Sequence, residues 1–316
     1  MTSSQKLIVV LGANGTQGGS VLSTFATDPS WRVRALTRNV SSPKAQVLLS
    51  KRPVANIELV SADLNDIFSL AKAFAGAHAI FGVTDFWTLY GDDKIQAQAQ
   101  AKGQPANELC FDLEVQQGKN IFDAASQIPT LERLVFSGLS NASELSGGKY
   151  KYVLHYDSKA VAMDYAKEEL PELWAKTSVV QLGYYLENFL AHPWMIPRKD
   201  SDGTFIFTGP NSSRVDLPAG KHVIAYRELM PLEQFAGIWG KMLGVQAIVK
   251  HDGIGSSMGQ IPEPLKKELD ETFAYAEEFG FRGGDPSVIH PEDIGLKTGS
   301  VEDWVKAQDW SAVVGA

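Results

Sequence analysis

The chain is short of the features that would take it out of a reducing, aqueous compartment. Its 316 residues include one cysteine, Cys110, which cannot close an internal disulfide and reads as a small apolar side chain rather than a nucleophile. No apolar run approaches the ~20 residues a bilayer span needs, and Met1 to Lys6 leads straight into a strand without a leader pattern. Basic charge is also scarce: 29 Lys and Arg stand against 37 Asp and Glu, a net charge of -8. Nucleic acid and anionic membranes demand a basic face, so both are excluded as partners, whereas a protein partner is not. Repeats and low-complexity tracts are absent, and no metal site is expected. These absences predict a cytoplasmic, or nucleocytoplasmic, globular protein, and an apolar share of 44% is enough for one large α/β domain with a smaller annex.

What is present begins at the N-terminus. Lys6-Leu7-Ile8-Val9-Val10-Leu11 is apolar and β-branched, as a buried parallel strand is. It runs into Gly12-Ala13-Asn14-Gly15-Thr16-Gln17-Gly18-Gly19. Val21, Leu22 and Phe25 then start an amphipathic helix. Glycines in such a turn adopt positive φ without penalty and let phosphates approach the backbone. A helix opening near Thr16 directs N–H groups and its positive dipole end at a pyrophosphate. The spacing is G-x-x-G-x-x-G rather than G-x-G-x-x-G, and its position between strand and helix is what gives it meaning.

Strands and helices alternate through the first half, the pattern of a doubly wound parallel sheet. Strands are expected at Arg32–Leu36, Ile57–Val60, Ala79–Val83, Arg133–Phe136 and Thr177–Leu182. Asp66 should cap a helix that ends before Gly76. Residues Gly91 to Asn107 interrupt the rhythm and read as a polar excursion or partly helical flap, or as an insertion of no consequence. A long helix follows from Glu108 to Gln127, and another from about Tyr156 to Glu169. Beyond Asn188 the rhythm is lost. The chain there shows prolines, short strands such as Phe205–Phe207, and helices at Glu233–Leu243 and Pro264–Phe279, the latter with a packing stripe of Leu265, Leu269, Phe273 and Ala276. The expected division is a dinucleotide-binding domain over 1–188 and a smaller irregular α+β domain over 189–316, with later segments free to return to the sheet.

Cofactor choice is read at the end of the second strand. NAD-selective proteins place a carboxylate there for the ribose 2′-hydroxyl. Here the residues are Thr37-Arg38-Asn39. Arg38 would meet a 2′-phosphate through a charge-assisted bond of about 1.5–3 kcal/mol, with Ser41 and Lys44 nearby, so NADP(H) is favoured. Downstream, His155-Tyr156-Asp157-Ser158-Lys159 has the Tyr-x-x-x-Lys spacing of a short-chain reductase, with His155 in the tyrosine's place. Lys159 keeps the cofactor-holding role. His155 is a candidate proton donor, since a histidine's ordinary pKa of about 6.5 suits neutral pH. Ser137, ending the fifth strand, is a candidate to polarise a carbonyl, although Gly138 beside it also reads as a close backbone approach. Tyr152 and Tyr156 are alternative donors with poorer spacing.

The stretches Gly12 to Val21, Leu36-Thr37-Arg38-Asn39, Phe136-Ser137-Gly138-Leu139, His155 to Lys159, Tyr185-Leu186-Glu187-Asn188 and Phe273 to Phe281 together resemble the NmrA-like family of atypical short-chain dehydrogenases. The resemblance covers nearly the whole chain. It implies a Rossmann domain that prefers NADP(H), followed by a small C-terminal domain. It also implies cofactor contacts at Gly12, Asn14, Gly15, Thr16, Gln17 and Gly18, at Arg38, at Asp63 and Leu64 beside the adenine, and at Thr84, Asp85 and Phe86. The remaining implied contacts are Lys159 and Tyr185, Leu186, Glu187 and Asn188 near the nicotinamide.

Two functions follow from that resemblance. One is an NADPH-dependent oxidoreductase reducing a small aromatic, quinone or carbonyl compound. For it, an aromatic rim of Phe86, Trp87, Tyr90, Tyr184, Tyr185, Phe189 and Trp194 would line a pocket for a flat substrate, although aromatics are also ordinary core material. The other is a non-catalytic NADP(H) redox sensor that binds a protein partner such as a transcription regulator. Histidine in place of the tyrosine does not decide between them, and the rim favours the reductase.

Overall fold

The computed structural model describes residues 5–50, 56–191, 195–208, 222–250 and 261–315. By its internal contacts the chain divides into two compact units. The first joins Met1–Gly138 to Ser158–Val180, and the second joins Leu139–Asp157 to Gln181–Ala316.

The first unit is built from β1 (Lys6–Val10), α1 (Thr16–Ala26), β2 (Trp31–Thr37), α2 (Pro43–Ser50), β3 (Ile57–Ser61), α3 (Ile67–Phe74), β4 (Ala79–Gly82), α4 (Phe86–Tyr90), α5 (Asp93–Lys102), α6 (Ala106–Ser126) and β5 (Arg133–Gly138). After α7 (Ala142–Leu145), which belongs to the second unit, come α8 (Leu154–Glu169), counted with the first unit from Ser158 onward, α9 (Pro171–Trp174) and β6 (Thr177–Leu182), counted with it as far as Val180. The strands lie in the order β6-β5-β4-β1-β2-β3. Pairing is parallel between β1 and β2, β1 and β4, β2 and β3, and β4 and β5. The chain therefore winds outward from β1 to β3, then crosses back to lay β4 on the other side of β1. That reversal opens a crevice beyond the carboxyl ends of β1 and β4, where ligands bind in such sheets.

Alternation along β1 sends its side chains to two cores. Leu7 and Val9 join Phe74, Ile121, Phe122, Phe136 and Ala162 on one face. Ile8 and Val10 join Leu22, Ala26, Val33 and Leu48 on the other. Helix α3 starts as its sequence requires, with the Asp66 carboxylate accepting from Phe68 N and Ser69 N. The Gly91 to Asn107 excursion contains a regular helix, α5. Asp92 caps it through Lys94 N, Gly103 ends it at φ 65°, and it packs on α4 and α6.

Gly18 fixes how closely α1 passes the end of β1. A Cβ there would lie 2.3 Å from the Gly12 carbonyl oxygen and 2.5 Å from that of Leu11. Both obstacles are backbone and cannot swing aside. Gly18→Ala is accordingly expected to destabilise the protein by about 1–3 kcal/mol, the usual cost of overpacking. Urea unfolding measures this, and a change within ±0.3 kcal/mol (about the additivity error of such data) would contradict the close approach.

In the second unit, α10 (Asn188–Ala191), β7 (Arg198–Lys199), β8 (Phe205–Thr208), β9 (His222–Ala225), α11 (Leu232–Leu243), β10 (Ala247–Lys250), α12 (Glu263–Phe279), β11 (Val288–Ile289), α13 (Val301–Ala307) and α14 (Ser311–Val314) follow in order. Strands β10, β8 and β7 form a small mixed sheet, and β9 pairs with β11 in parallel. Its main core is aromatic, gathering Phe189, Phe205, Phe207, Phe235, Trp239, Trp304 and Trp310. A smaller core joins Ala142, Val153, Tyr156 and Tyr275. On α12 the buried side chains are Glu268, Tyr275 and Ala276. Of the expected stripe only Ala276 is buried, and Leu265, Leu269 and Phe273 stay partly exposed. A carboxylate takes the inner position because it has hydrogen bonds to make there.

Candidate functional site

The turn after β1 has the form a phosphate needs. Gly12 sits at φ 61°, and a Cβ on it would press to 2.8 Å from Val83 Cγ1. Gly15 N donates to Gly12 O at 2.8 Å, which closes the turn. Gly15 is also the N-cap of α1 and supplies no side-chain cap, and the first turn carries no acidic residue. Asn14, Gly15 and Thr16 are exposed. An N-terminus of this kind, with its positive dipole end uncapped by any side chain, suits an anion.

Around this turn lie the carboxyl ends of the neighbouring strands. Arg38 is exposed just past β2, and its carbonyl accepts from Ser61 Oγ at 3.1 Å. Past β3, Asp63 Oδ1 accepts from Asn65 N and Nδ2, both at 2.9 Å, while the Leu64 carbonyl accepts from Asn120 Nδ2 at 2.8 Å. Past β4, Asp85 caps α4, accepting from Thr88 N at 3.0 Å and Thr88 Oγ1 at 2.7 Å. Phe86 is buried, Trp87 is 43% exposed, and Tyr90 is partly exposed.

Lys159 is buried, and each of its three N–H bonds has an acceptor. Its ammonium donates to Glu114 Oε1, to Thr84 Oγ1 at 2.8 Å and to Thr84 O at 3.1 Å. Ser158 Oγ donates to the other oxygen of Glu114, whose side chain is fully buried. Two small residues make the pairing possible. A Cβ on Gly118 would lie 2.5 Å from Ala162 Cβ, so α6 and α8 cross in near-contact. Glu114 stands one turn before Gly118, and Lys159 nearly one turn before Ala162. Ser137 and Gly138 are buried at the end of β5. A Cβ on Gly138 would reach 2.5 Å from Met163 Sδ, which accounts for that glycine by packing alone.

In the second unit, His155 is organised by Glu268. The fully buried carboxylate lies 3.0 Å from His155 Nδ1 and accepts from His155 N at 3.2 Å. An ionised carboxylate only accepts, so Nδ1 carries the proton in this pair and the ring's other reactive atom is Nε2. Tyr156 is packed against Tyr275, and burial lifts its hydroxyl well above the ordinary tyrosine range, which makes it a weak acid. Tyr152 lies under Lys267 Nζ, 3.4 Å from the ring centre. Burial also pushes Asp157 up, opposed by its hydrogen bonds from Ser143; it anchors the start of α7.

Tyr185 to Asn188 form a tight turn, with Asn188 N donating to Tyr185 O at 3.0 Å and Glu187 Oε1 accepting from Trp304 Nε1 at 3.3 Å. Leu186 packs on the aromatic core. Tyr184 is partly buried and donates to Met195 Sδ at 2.7 Å. Phe189 stacks on Phe235 at 4.8 Å within that core. Trp194 lies outside the described residues.

Glu114 and Glu268, the buried carboxylates that pair with the candidates Lys159 and His155, were not singled out by pattern reading. Among the described residues no group of three or more His, Cys, Asp or Glu side chains could hold a metal ion, and no helix is long and apolar enough to cross a membrane.

The profile of the NmrA-like family matches residues 4–223. The chain is 35% identical over 188 residues to an NmrA-like family domain-containing oxidoreductase, FrzB, of a Cladobotryum species, an overlap of 58% of this chain and 48% of that protein. A second such oxidoreductase, from Aspergillus hancockii, is 32% identical over 190 residues, covering 60% and 50%. The chain thus spans about half the length of the curated relatives it matches. Among solved structures, the negative transcriptional regulator NmrA in complex with NADP superposes with a TM-score of 0.65 at 19% identity, over 96% of this chain and 91% of that one. The Citrobacter sp. triphenylmethane reductase complexed with NADP(H) gives 0.59 at 16% identity, over 96% and 100%. An Escherichia coli NADPH-dependent quinone oxidoreductase complexed with NADPH gives 0.58 at 19%, over 95% and 98%. These likenesses establish a Rossmann-type α/β fold.

Proposed function

The chain belongs to the NmrA-like family, and on that footing we propose that it binds NADP(H) and uses it to reduce a small aromatic, quinone or carbonyl compound. The observation that carries this reading is the turn Gly12–Gly18 with its helix N-terminus free of side-chain caps and acidic residues, beside β2, β3 and β4 ends that offer Arg38 and no carboxylate directly after β2. The donor set fits a dinucleotide: backbone N–H groups for the pyrophosphate, a guanidinium for a 2′-phosphate, and an ammonium for ribose hydroxyls. Arg38→Ala is expected to weaken NADPH roughly ten- to hundredfold and to leave NADH almost unchanged. Competitive fluorescence titration reads the difference, and equal losses for both cofactors would remove Arg38 from the 2′-phosphate role.

When bound, NADPH supplies the hydride. The protein's own contribution is positioning and a proton. Lys159 holds a ribose, while the Glu114 carboxylate keeps the ammonium in place. His155, protonated at both ring nitrogens, releases the Nε2 proton to the substrate oxygen and keeps its Nδ1 proton, which stays hydrogen-bonded to Glu268. Hydride on carbon and proton on oxygen together complete a two-electron reduction, and solvent reprotonates the ring. Relatives bearing the oxidoreductase name support this over a purely sensing role.

The test is an absorbance trace of NADPH mixed with the protein against a panel of quinones and carbonyl compounds. Substrate-dependent loss of absorbance is expected. A flat trace across the panel, with NADPH bound, would favour a non-catalytic NADP(H) sensor acting on a protein partner.

A further inference from the structure

We infer that Glu114 is the positioning residue for Lys159 in cofactor binding, and that the two Thr84 oxygens are the acceptors that ribose hydroxyls replace. The inference rests on the NADP(H) reading above and deepens it to a residue no motif marks. Lys159 has three hydrogens to give, and all three are engaged within the protein. A ribose hydroxyl reaches this ammonium only by displacing one of its acceptors. The acceptors are not equivalent. Glu114 is a fully buried carboxylate, and an ion left alone in the interior is strongly unfavourable. Its second oxygen is fixed by Ser158 Oγ, so the carboxylate cannot turn away. Thr84 offers neutral oxygens on the segment that follows β4, at the crevice where the strand order reverses. A sugar diol is a like-for-like replacement for a hydroxyl and a carbonyl. The charged contact is retained and the neutral ones are exchanged.

The near-contact of Gly118 with Ala162 makes this a built arrangement. It sets α6 against α8 at the distance that lets Glu114 reach Lys159. The ammonium is thereby held at one point, where it would otherwise sweep a long flexible stem.

The experiment compares NADPH with 2′,5′-ADP, a fragment that carries the adenine side and the 2′-phosphate but lacks the nicotinamide ribose. Isothermal titration of Glu114→Gln is expected to show NADPH weakened roughly ten- to hundredfold, the loss of one charge-assisted contact, with 2′,5′-ADP affinity kept within twofold. Should Glu114→Gln fail to fold, Glu114→Asp keeps the charge and shortens its reach, and the same split between the two ligands is expected. NADPH affinity equal to wild type in the folded variant overturns the inference. Equal weakening of both ligands also overturns it, because Glu114 would then support the fold generally. Wild-type protein that binds neither ligand overturns the NADP(H) reading itself.

Discussion

Lys159→Met is expected to cost the fold about 3–5 kcal/mol, the penalty for breaking a buried ion pair by removing one partner. Methionine has nearly the volume of the lysine stem, so packing is preserved and the loss isolates the charge. Glu114 would keep only the Ser158 hydroxyl as a donor, and a desolvated carboxylate with one hydrogen bond is poorly stabilised. The second change, Glu114→Gln on top of Lys159→Met, removes the stranded charge and should recover most of the loss. Urea denaturation of the two single variants and the double gives the coupling directly. A Lys159→Met cost below ~1 kcal/mol, the range of exposed ion pairs, would mean that the pair is hydrated and that Glu114 does not fix the ammonium. Since a typical domain is stable by only 5–15 kcal/mol, the single variant should also be visibly less soluble when expressed.

Reduction of a responsive substrate should slow by ~10²–10⁴ in His155→Asn, the usual contribution of a positioned general acid. Asparagine is chosen because its amide N–H can still donate to Glu268, so the buried carboxylate keeps a partner and stability is spared. NADPH affinity should stay within twofold, placing the loss in kcat alone. Turnover matching wild type would contradict the proton-donor role and leave water as the donor. Glu268→Gln tests the same arrangement from the other side. An amide both donates and accepts, so it no longer imposes the proton on Nδ1, and a smaller loss in kcat is expected with the imidazole still in place.

The parts legible in the sequence are those whose physical requirement is local. A glycine turn between an apolar strand and an amphipathic helix is a backbone demand written in consecutive residues, and Gly12 indeed takes a positive φ. The place of Arg38, exposed just past β2, followed from the strand pattern, and the Asp66 cap from the donors an α-helix leaves unpaired. Residues whose roles depend on a crossing between distant segments were not legible. Glu114 lies on a helix 45 residues from Lys159, and Glu268 lies 113 residues from His155. No local pattern marks either, because charged residues are almost never fully buried without a partner and the partner lies far away in the chain. One signal did exist. Gly118 in the middle of a 21-residue helix costs ~1 kcal/mol against alanine, and such a glycine marks a close approach; the residue one turn before it was the one to examine. On α12, periodicity favoured Leu265, Leu269 and Phe273 as the inner stripe. Periodicity weighs apolar burial only, and His155 drew a carboxylate inward instead.

The most direct test of the whole account is calorimetric titration of the purified protein with NADPH, NADP+, NADH and NAD+. A glycine turn that cradles a pyrophosphate, with Arg38 at the 2′-position, predicts binding of both NADP forms and a ten- to hundredfold weaker response to both NAD forms, from about 1.5–3 kcal/mol of charge-assisted bonding. No heat with any of the four dinucleotides, or equal affinity for all of them, would contradict it.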